Sequence, residues 1–151
     1  MTESFVIQSN TANLAVVEER LFHFCRECNI GRYYSAISVA TLQAVENAIV
    51  HGNREDASKN VSVTFGYCRG GIFTEVTDEG IGFDHTRYGD LPADGEMAGE
   101  GIFVMRSLAD SVTYSEGGRQ VRLEFVVAGI DPAEALERVS VLRQHFALVA
   151  A

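Results

Sequence analysis

The sequence predicts an α/β (α+β) two-layer sandwich, a mixed, largely antiparallel sheet with helices on one face. Three observations predict it. Apolar residues recur at helical spacings of three and four in the first third of the chain. They alternate with polar residues in several later segments, as half-buried strands do. The segments follow the order β-α-α-β-β-α-β-β-α, with short turns joining two strand pairs into hairpins, so helices and sheet must cover one another.

Phe5 to Gln8 reads as a short strand. Asn10 or Thr11 opens a helical stretch that runs through Asn29, with Leu14, Val17, Leu21, Phe24 and Cys28 on one face. Asn29 and Gly31 end it. A second helix is expected from about Tyr33 to His51, stopped by Gly52 and Asn53. Val61, Val63 and Phe65 mark a strand, and a turn at Arg69 to Gly71 leads into its partner, Ile72 to Val76. A glycine-bearing stretch from Asp78 to about Gly101 precedes a short helix, Ile102 to Leu108. Val112 to Ser115 and Val121 to Val127 form a second hairpin, turned at Glu116 to Gly118. Finally, Asp131, Pro132 and Glu134 start a helix to about Leu148, carrying Leu136, Val139, Leu142 and Phe146.

Composition excludes several classes of function. The 151 residues suit one domain. With a net charge of −9 and Lys59 as the only lysine, the chain lacks the clustered cations of a nucleic-acid groove. No apolar run approaches the roughly 20 residues that span a bilayer. The start, MTESFVIQSN, carries neither a basic segment nor an apolar core of a signal peptide, so a cytoplasmic location with no membrane association is expected. Cys25 and Cys28 form a CxxC without a second ligand pair, and helical packing explains them better than a metal or redox site.

Three segments carry candidate chemistry. TDEGIGFD (Thr77 to Asp84) follows a strand. Its Gly80 and Gly82 permit close backbone approach, and Asp78 presents a carboxylate able to accept from an exocyclic amine such as adenine N6. A plain Asp- and Gly-rich turn is the simpler reading of that segment alone. GEGIFVMRSLAD (Gly99 to Asp110) sets two glycines before a helix opening near Ile102, which would leave backbone N–H groups and the positive helix end facing an anion. QAVENAIVHGN (Gln43 to Asn53) spaces Gln43, Asn47 and His51 one turn apart, and the amide oxygen of Asn47 is a hard ligand suited to Mg²⁺.

The ordered combination of a helix with Asn47, a hairpin, DxGxGFD, an intervening loop and GxG resembles the GHKL ATPases, the Bergerat ATP-binding fold. Within that superfamily, NAIVHGN and the compact frame are similar to the stand-alone anti-sigma factor serine/threonine kinases. The resemblance covers about residues 5–128. It implies a histidine-kinase-like ATP-binding domain at 1–128 and a C-terminal helical extension at 129–151. It implies Mg·ATP as ligand, with Asn47 holding Mg²⁺, Asp78 recognising adenine, and Gly99 and Gly101 wrapping the phosphates. His51, Gly80, Gly82 and Ile102 complete the expected nucleotide-binding set, and residues 85–98 correspond to the ATP lid. The implied partners are an anti-anti-sigma (STAS) protein, phosphorylated on Ser or Thr, and a sigma factor. The C-terminal helix is expected to cover an apolar patch or sheet edge, or to form a homodimer or partner surface. A detached histidine-kinase catalytic domain is a further, weaker reading.

Two positions depart from the family pattern. The family places a Glu, as general base, four residues before the Mg²⁺ asparagine. Here that position is Gln43, which cannot take a proton at neutral pH. Glu46 adjoins Asn47 but is turned about 100° from it on an ideal helix. It reads as a surface carboxylate, with a displaced base as the second reading. Arg119 stands where the family often has Thr, near adenine. A non-catalytic, ATP-gated protein-binding module is therefore the alternative function.

Overall fold

The computed structural model describes residues 2–84, 97–127, 139–144 and 146. Its strands are β1 (Thr2–Gln8), β2 (Asn60–Cys68), β3 (Gly71–Thr77), β4 (Ser111–Ser115) and β5 (Gln120–Val126). They form one sheet in the order β1-β2-β3-β5-β4, and every pairing is antiparallel. The expected mixed sheet is thus fully antiparallel among the described residues. Both hairpins appear, and β5 inserts between β3 and β4.

The helices are α1 (Leu14–Glu27), α2 (Tyr34–Asn47) and α3 (Met97–Leu108). Asn10 caps the first helical segment, its side-chain oxygen accepting from Ala12 N–H at 2.8 Å. A short 3-10 turn, Thr11–Asn13, then leads into α1. After α1, Asn29 takes a left-handed conformation at φ 57°, a role open to Asn but strained for most side chains. A π-helical turn, Ala48–Gly52, continues α2. Such turns widen the backbone and recur at functional sites.

One core joins the layers. Val17, Leu21, Phe24, Ile37, Val45 and Ile49 from the helices meet Val61, Val63, Phe65, Ile72, Val76 and Leu123 from the sheet. Each fully buried side chain of this kind contributes roughly 1.5–3 kcal/mol. Ala40, Ala44 and Ala48 keep the sheet-facing side of α2 small, and a buried Thr41–Thr74 hydroxyl pair at 3.0 Å ties α2 to the middle of β3. Cys25 belongs to this core, and burial, reinforced by Cys28, pushes its thiol up to about 12. Such a thiol is packing material rather than a nucleophile.

The helix carrying the GxG differs from its expected start at Ile102. It begins at Met97, so Gly99 and Gly101 lie within α3 and do not precede it. Glycine is a poor helix former, and the sequence pattern therefore placed the boundary too late. Of the expected lid, residues 85–96 lie outside the described residues, while Met97 and Ala98 open α3. Of the expected C-terminal helix, 139–144 and 146 are helical and the rest lies outside the described residues. Val139 and Leu142 are buried in the main core, and the Phe146 ring meets Phe103 of α3 edge-on at 6.2 Å. This segment packs on the helical layer.

Candidate functional site

The loop after β3 is fixed by backbone and by one buried amide. Asp78 N–H donates to Arg119 C=O at 2.9 Å, and Phe83 N–H donates to Gly117 C=O at 3.0 Å, which staples the loop to the β4–β5 turn. Within the loop, Gly80 N–H donates to Asp78 Oδ1 at 2.8 Å. Gly80 is required here because a Cβ would collide with the carbonyl oxygen of Gly52 in the π turn. The Asp78 side chain in turn lies against Gly52. Burial pushes the Asp78 carboxyl above the usual carboxylate range, against the opposing pull of the Gly80 N–H, Arg119 and Lys59.

Asn53, just beyond the π turn, holds four segments together. It is only 1% exposed. Its Nδ2 donates to Ser9 Oγ at 2.9 Å and to Asn60 C=O at 3.0 Å, and its Oδ1 accepts from Glu79 N–H at 2.8 Å. Ser9 Oγ donates onward to Lys59 C=O at 2.6 Å. The network therefore locks the ends of β1 and β2 to the loop that carries Asp78. In the sequence, Asn53 reads only as a helix stop, and nothing local reveals its partners.

Asn47 closes α2 at its junction with the π turn. Gln43, one turn earlier, donates from Nε2 to Asn47 Oδ1 at 3.1 Å. Gly101 of α3 crosses directly over this pair. A Cβ there would come within 2.7 Å of Asn47 Nδ2, 2.9 Å of its Oδ1 and 2.9 Å of Gln43 Nε2. Gly101 thus leaves the Asn47 amide uncovered, and its role is helix crossing in addition to any ligand contact. As the fifth residue of α3 it falls beyond the first four N–H groups, whereas Gly99 lies among them.

A cavity of about 250 Å³ joins these parts. Ala44, Ala48, Val76, Ile102, Met105 and Val121 give it apolar walls, and Asn47, His51, Asp78 and Arg119 supply polar groups. Gly82, Phe83, Gly118 and Tyr114 also border it, with the Phe83 and Tyr114 rings edge-to-face at 5.3 Å. Burial keeps the Tyr114 phenol protonated, pushing its pKa well up. Arg119 is held at the rim by its Nε donating to Glu116 C=O at 3.0 Å. Apolar walls with the half-buried Asp78 carboxylate as an acceptor suit a planar base bearing an amine.

A second cavity of about 470 Å³ includes Gln43, Glu46, Glu100, Gly101 and Arg143 in its lining, beside the apolar Val50, Val104 and Leu142. Asn47 and His51 border both cavities, whereas Asp78 borders only the first. Gln43, Glu46, Asn47, His51, Asp78, Gly82, Gly101 and Ile102 are thus brought together around two adjoining spaces, and Gly80 shapes them through its contact with Gly52. Glu46 is exposed to solvent yet borders the second cavity beside Asn47. The sequence reading did not single out Phe83, Tyr114, Glu100 or Arg143.

The profile of the histidine kinase-like ATPase domain matches residues 8–125, most of the chain. The chain belongs to this family. Membership of the histidine kinase-like ATPase family implies ATP binding. Among similar proteins are the Anti-sigma F factors of Clostridium perfringens strains SM101 and 13, each 33% identical over 93 residues. These matches cover 58% of this chain and 66% of each relative, a little under two thirds of the relative's length. The five-stranded antiparallel sheet backed by helices is the two-layer sandwich expected of a histidine kinase-like ATPase domain. No described helix is long and apolar enough to cross a membrane.

Proposed function

We propose that this chain is a cytoplasmic ATP-binding regulator of the anti-sigma type, which binds Mg·ATP and phosphorylates a Ser or Thr of an anti-anti-sigma (STAS) partner. One observation carries the reading. Asp78 and Asn47 border one cavity, and Asn47 and His51 also border the adjoining space that carries Glu46, Glu100 and Arg143. A ligand with an amine-bearing base in the first cavity would extend its charged tail past Asn47 into the second. The similarity to Anti-sigma F factors supports the choice of regulator and partner.

The residues fit Mg²⁺. Asn47 offers a hard carbonyl oxygen, the missing Cβ of Gly101 leaves that amide uncovered, and Glu46 and Glu100 add oxygen donors nearby. Asn47 would hold the ion, which when bound neutralises charge on the transferring phosphoryl group. The chain's own part is positioning. Asp78 accepts from the base, the apolar walls exclude water from it, and Gln43 sets the orientation of the Asn47 amide. In transfer, the partner's hydroxyl oxygen forms a bond to the γ-phosphorus as the bond to the ADP oxygen breaks, and the hydroxyl proton leaves to solvent or to a nearby base.

Gln43 supports a second reading, in which nucleotide gates partner binding without transfer. Its amide donates to Asn47 where the family's pattern would place a carboxylate. Labelled ATP incubated with the chain and candidate STAS proteins, read by intact mass, separates the two. A phosphorylated partner supports the kinase. Partner binding that depends on ATP, with neither transfer nor hydrolysis, supports the gate. Absence of any Mg·ATP-dependent rise in melting temperature at millimolar nucleotide contradicts both.

A further inference from the structure

We propose that Arg143, on the C-terminal helix, holds the terminal phosphate of bound ATP, so that this helix distinguishes ATP from ADP. The proposal rests on the placement of ATP given above. Its starting point is the ordering of the two cavities. The first contains Asp78, and it shares Asn47 and His51 with the second, which carries the charged side chains Glu46, Glu100 and Arg143. A base bound at Asp78 therefore directs the far end of its phosphate chain into the space bordered by Glu46, Glu100 and Arg143.

The charges that the described residues place in that space favour a role for Arg143. Two carboxylates, Glu46 and Glu100, oppose a polyphosphate, and a bound divalent ion offsets only part of that repulsion. Among the described residues, Arg143 is the only lysine or arginine in the lining, and it makes no ion pair with any of them. Its guanidinium presents several N–H donors in a planar fork that matches phosphate oxygens.

The helix is anchored independently of this side chain. Val139 and Leu142 are buried in the main core and Phe146 packs on Phe103, while Arg143 itself is exposed. Arg143 is thereby held at the cavity by apolar contacts made on either side of it in the helix. The helix lies beyond the residues matched by the family profile, which end at 125, so this contribution belongs to the chain's own extension.

The test is calorimetric titration of the full chain with Mg·ADP and with a non-hydrolysable Mg·ATP analogue. For Arg143→Ala, the analogue should bind about tenfold more weakly, as expected for loss of a charge-assisted contact at a solvent-accessible site. ADP affinity should stay within about twofold, because ADP lacks the group that Arg143 meets. Arg143→Lys should recover part of the lost affinity, since charge is kept but the fork is not. The melting temperature without nucleotide should be unchanged, and the Lys variant preserves the test should Ala unfold the helix. Equal losses for ADP and analogue, or no loss for either, overturn the proposal while leaving ATP binding intact. If wild type binds neither nucleotide, the placement of ATP falls first and this inference with it.

Discussion

The surroundings of Asp78 and of Asn47 are built in different ways. Around Asp78 the restraints are backbone hydrogen bonds to Arg119 and Gly117, a glycine contact with Gly52, and the buried amide of Asn53. Around Asn47 they are side chains on packed helices: the Gln43 amide, the open face of Gly101, and a cavity that Leu142 and Phe146 help to line. Backbone restraints fix a position whatever the neighbouring side chains are. Restraints between side chains change with a single substitution. The Asp78 side should therefore behave as a rigid recognition site, and the Asn47 side as the part that can be tuned.

The sharpest way to break this comparison is Asp78→Asn. The amide can still accept from Gly80 N–H but loses the charge that strengthens a bond to a base amine, so ATP affinity should fall about 10- to 100-fold. The raised pKa of Asp78 gives a second signature. Its folded form takes up a proton more readily than its unfolded form, so this group adds stability as pH falls and detracts from it at neutrality. Asp78→Asn should therefore melt no lower than wild type without nucleotide at pH 7. Wild-type ATP affinity should decline as pH is lowered through the raised value, and that decline should vanish in the variant. Titration calorimetry across acid pH and thermal melts check both. A variant that binds ATP normally would remove Asp78 from recognition.

Next in size is Asn53→Ala. Removing one amide takes this partner from Glu79 N–H and Asn60 C=O and leaves Ser9 Oγ with only its bond to Lys59 C=O, in a buried or half-buried setting. The expected cost is about 2–4 kcal/mol. Thermal unfolding should show a fall of about 5–10 °C for a chain of this size. A shift within experimental error would mean that backbone contacts alone hold the Asp78 loop.

The same contrast explains what was legible in the sequence. The Asp78 loop is local turn chemistry, with Asp and glycines directly after a strand, and it stands out at once. Both hairpins were legible for the same reason. Asn53 was not, because its partners lie 44, 7 and 26 residues away. The insertion of β5 between β3 and β4 was likewise invisible, since only its contact with β4 is a local turn. The start of α3 was misplaced because Gly99 and Gly101 disfavour a helix by intrinsic preference, whereas packing against Gln43 and Asn47 favours glycine at 101. Arg143 joins the site only through packing of the C-terminal helix against the helical layer, and Glu100 only through the crossing of α3 over α2.

Gly101→Ala probes the tunable side with a smaller effect. Alanine favours a helix interior by up to about 1 kcal/mol over glycine. The atoms that its Cβ would press on are the ends of the Asn47 and Gln43 side chains, which can turn aside at little cost to stability. Melting temperature without nucleotide should therefore hold or rise slightly. Turning the Asn47 amide away should weaken Mg·ATP binding about tenfold, near the loss of one good polar contact. Unchanged affinity in calorimetry would show that Asn47 needs no particular orientation.

The smallest expected effects come from Gln43 and Glu46, and they bear on whether the side-chain end of the site catalyses. In the structure, Gln43 Nε2 donates to Asn47 Oδ1, occupying part of the oxygen that is suited to Mg²⁺. Glutamate at 43 has no donor at neutral pH. The Asn47 amide would then rotate so that its Nδ2 donates to the carboxylate, freeing its oxygen toward the cavity. A carboxylate would also stand where a nucleophile's proton can be taken. General base catalysis is typically worth about 10²–10⁴-fold, but phosphoryl transfer depends mostly on positioning and metal electrostatics. The expected gain from Gln43→Glu therefore falls below that range, about tenfold in hydrolysis or transfer, with ATP affinity within about threefold. Glu46 borders the cavity but is exposed and makes no hydrogen bond or ion pair with a described residue, so Glu46→Gln should change the rate less than about twofold. Steady-state turnover of the two variants decides between the carboxylates. If Glu46→Gln abolishes activity while Gln43→Glu leaves it unchanged, Glu46 is the base, displaced by one position along α2, and Gln43 serves only to orient Asn47.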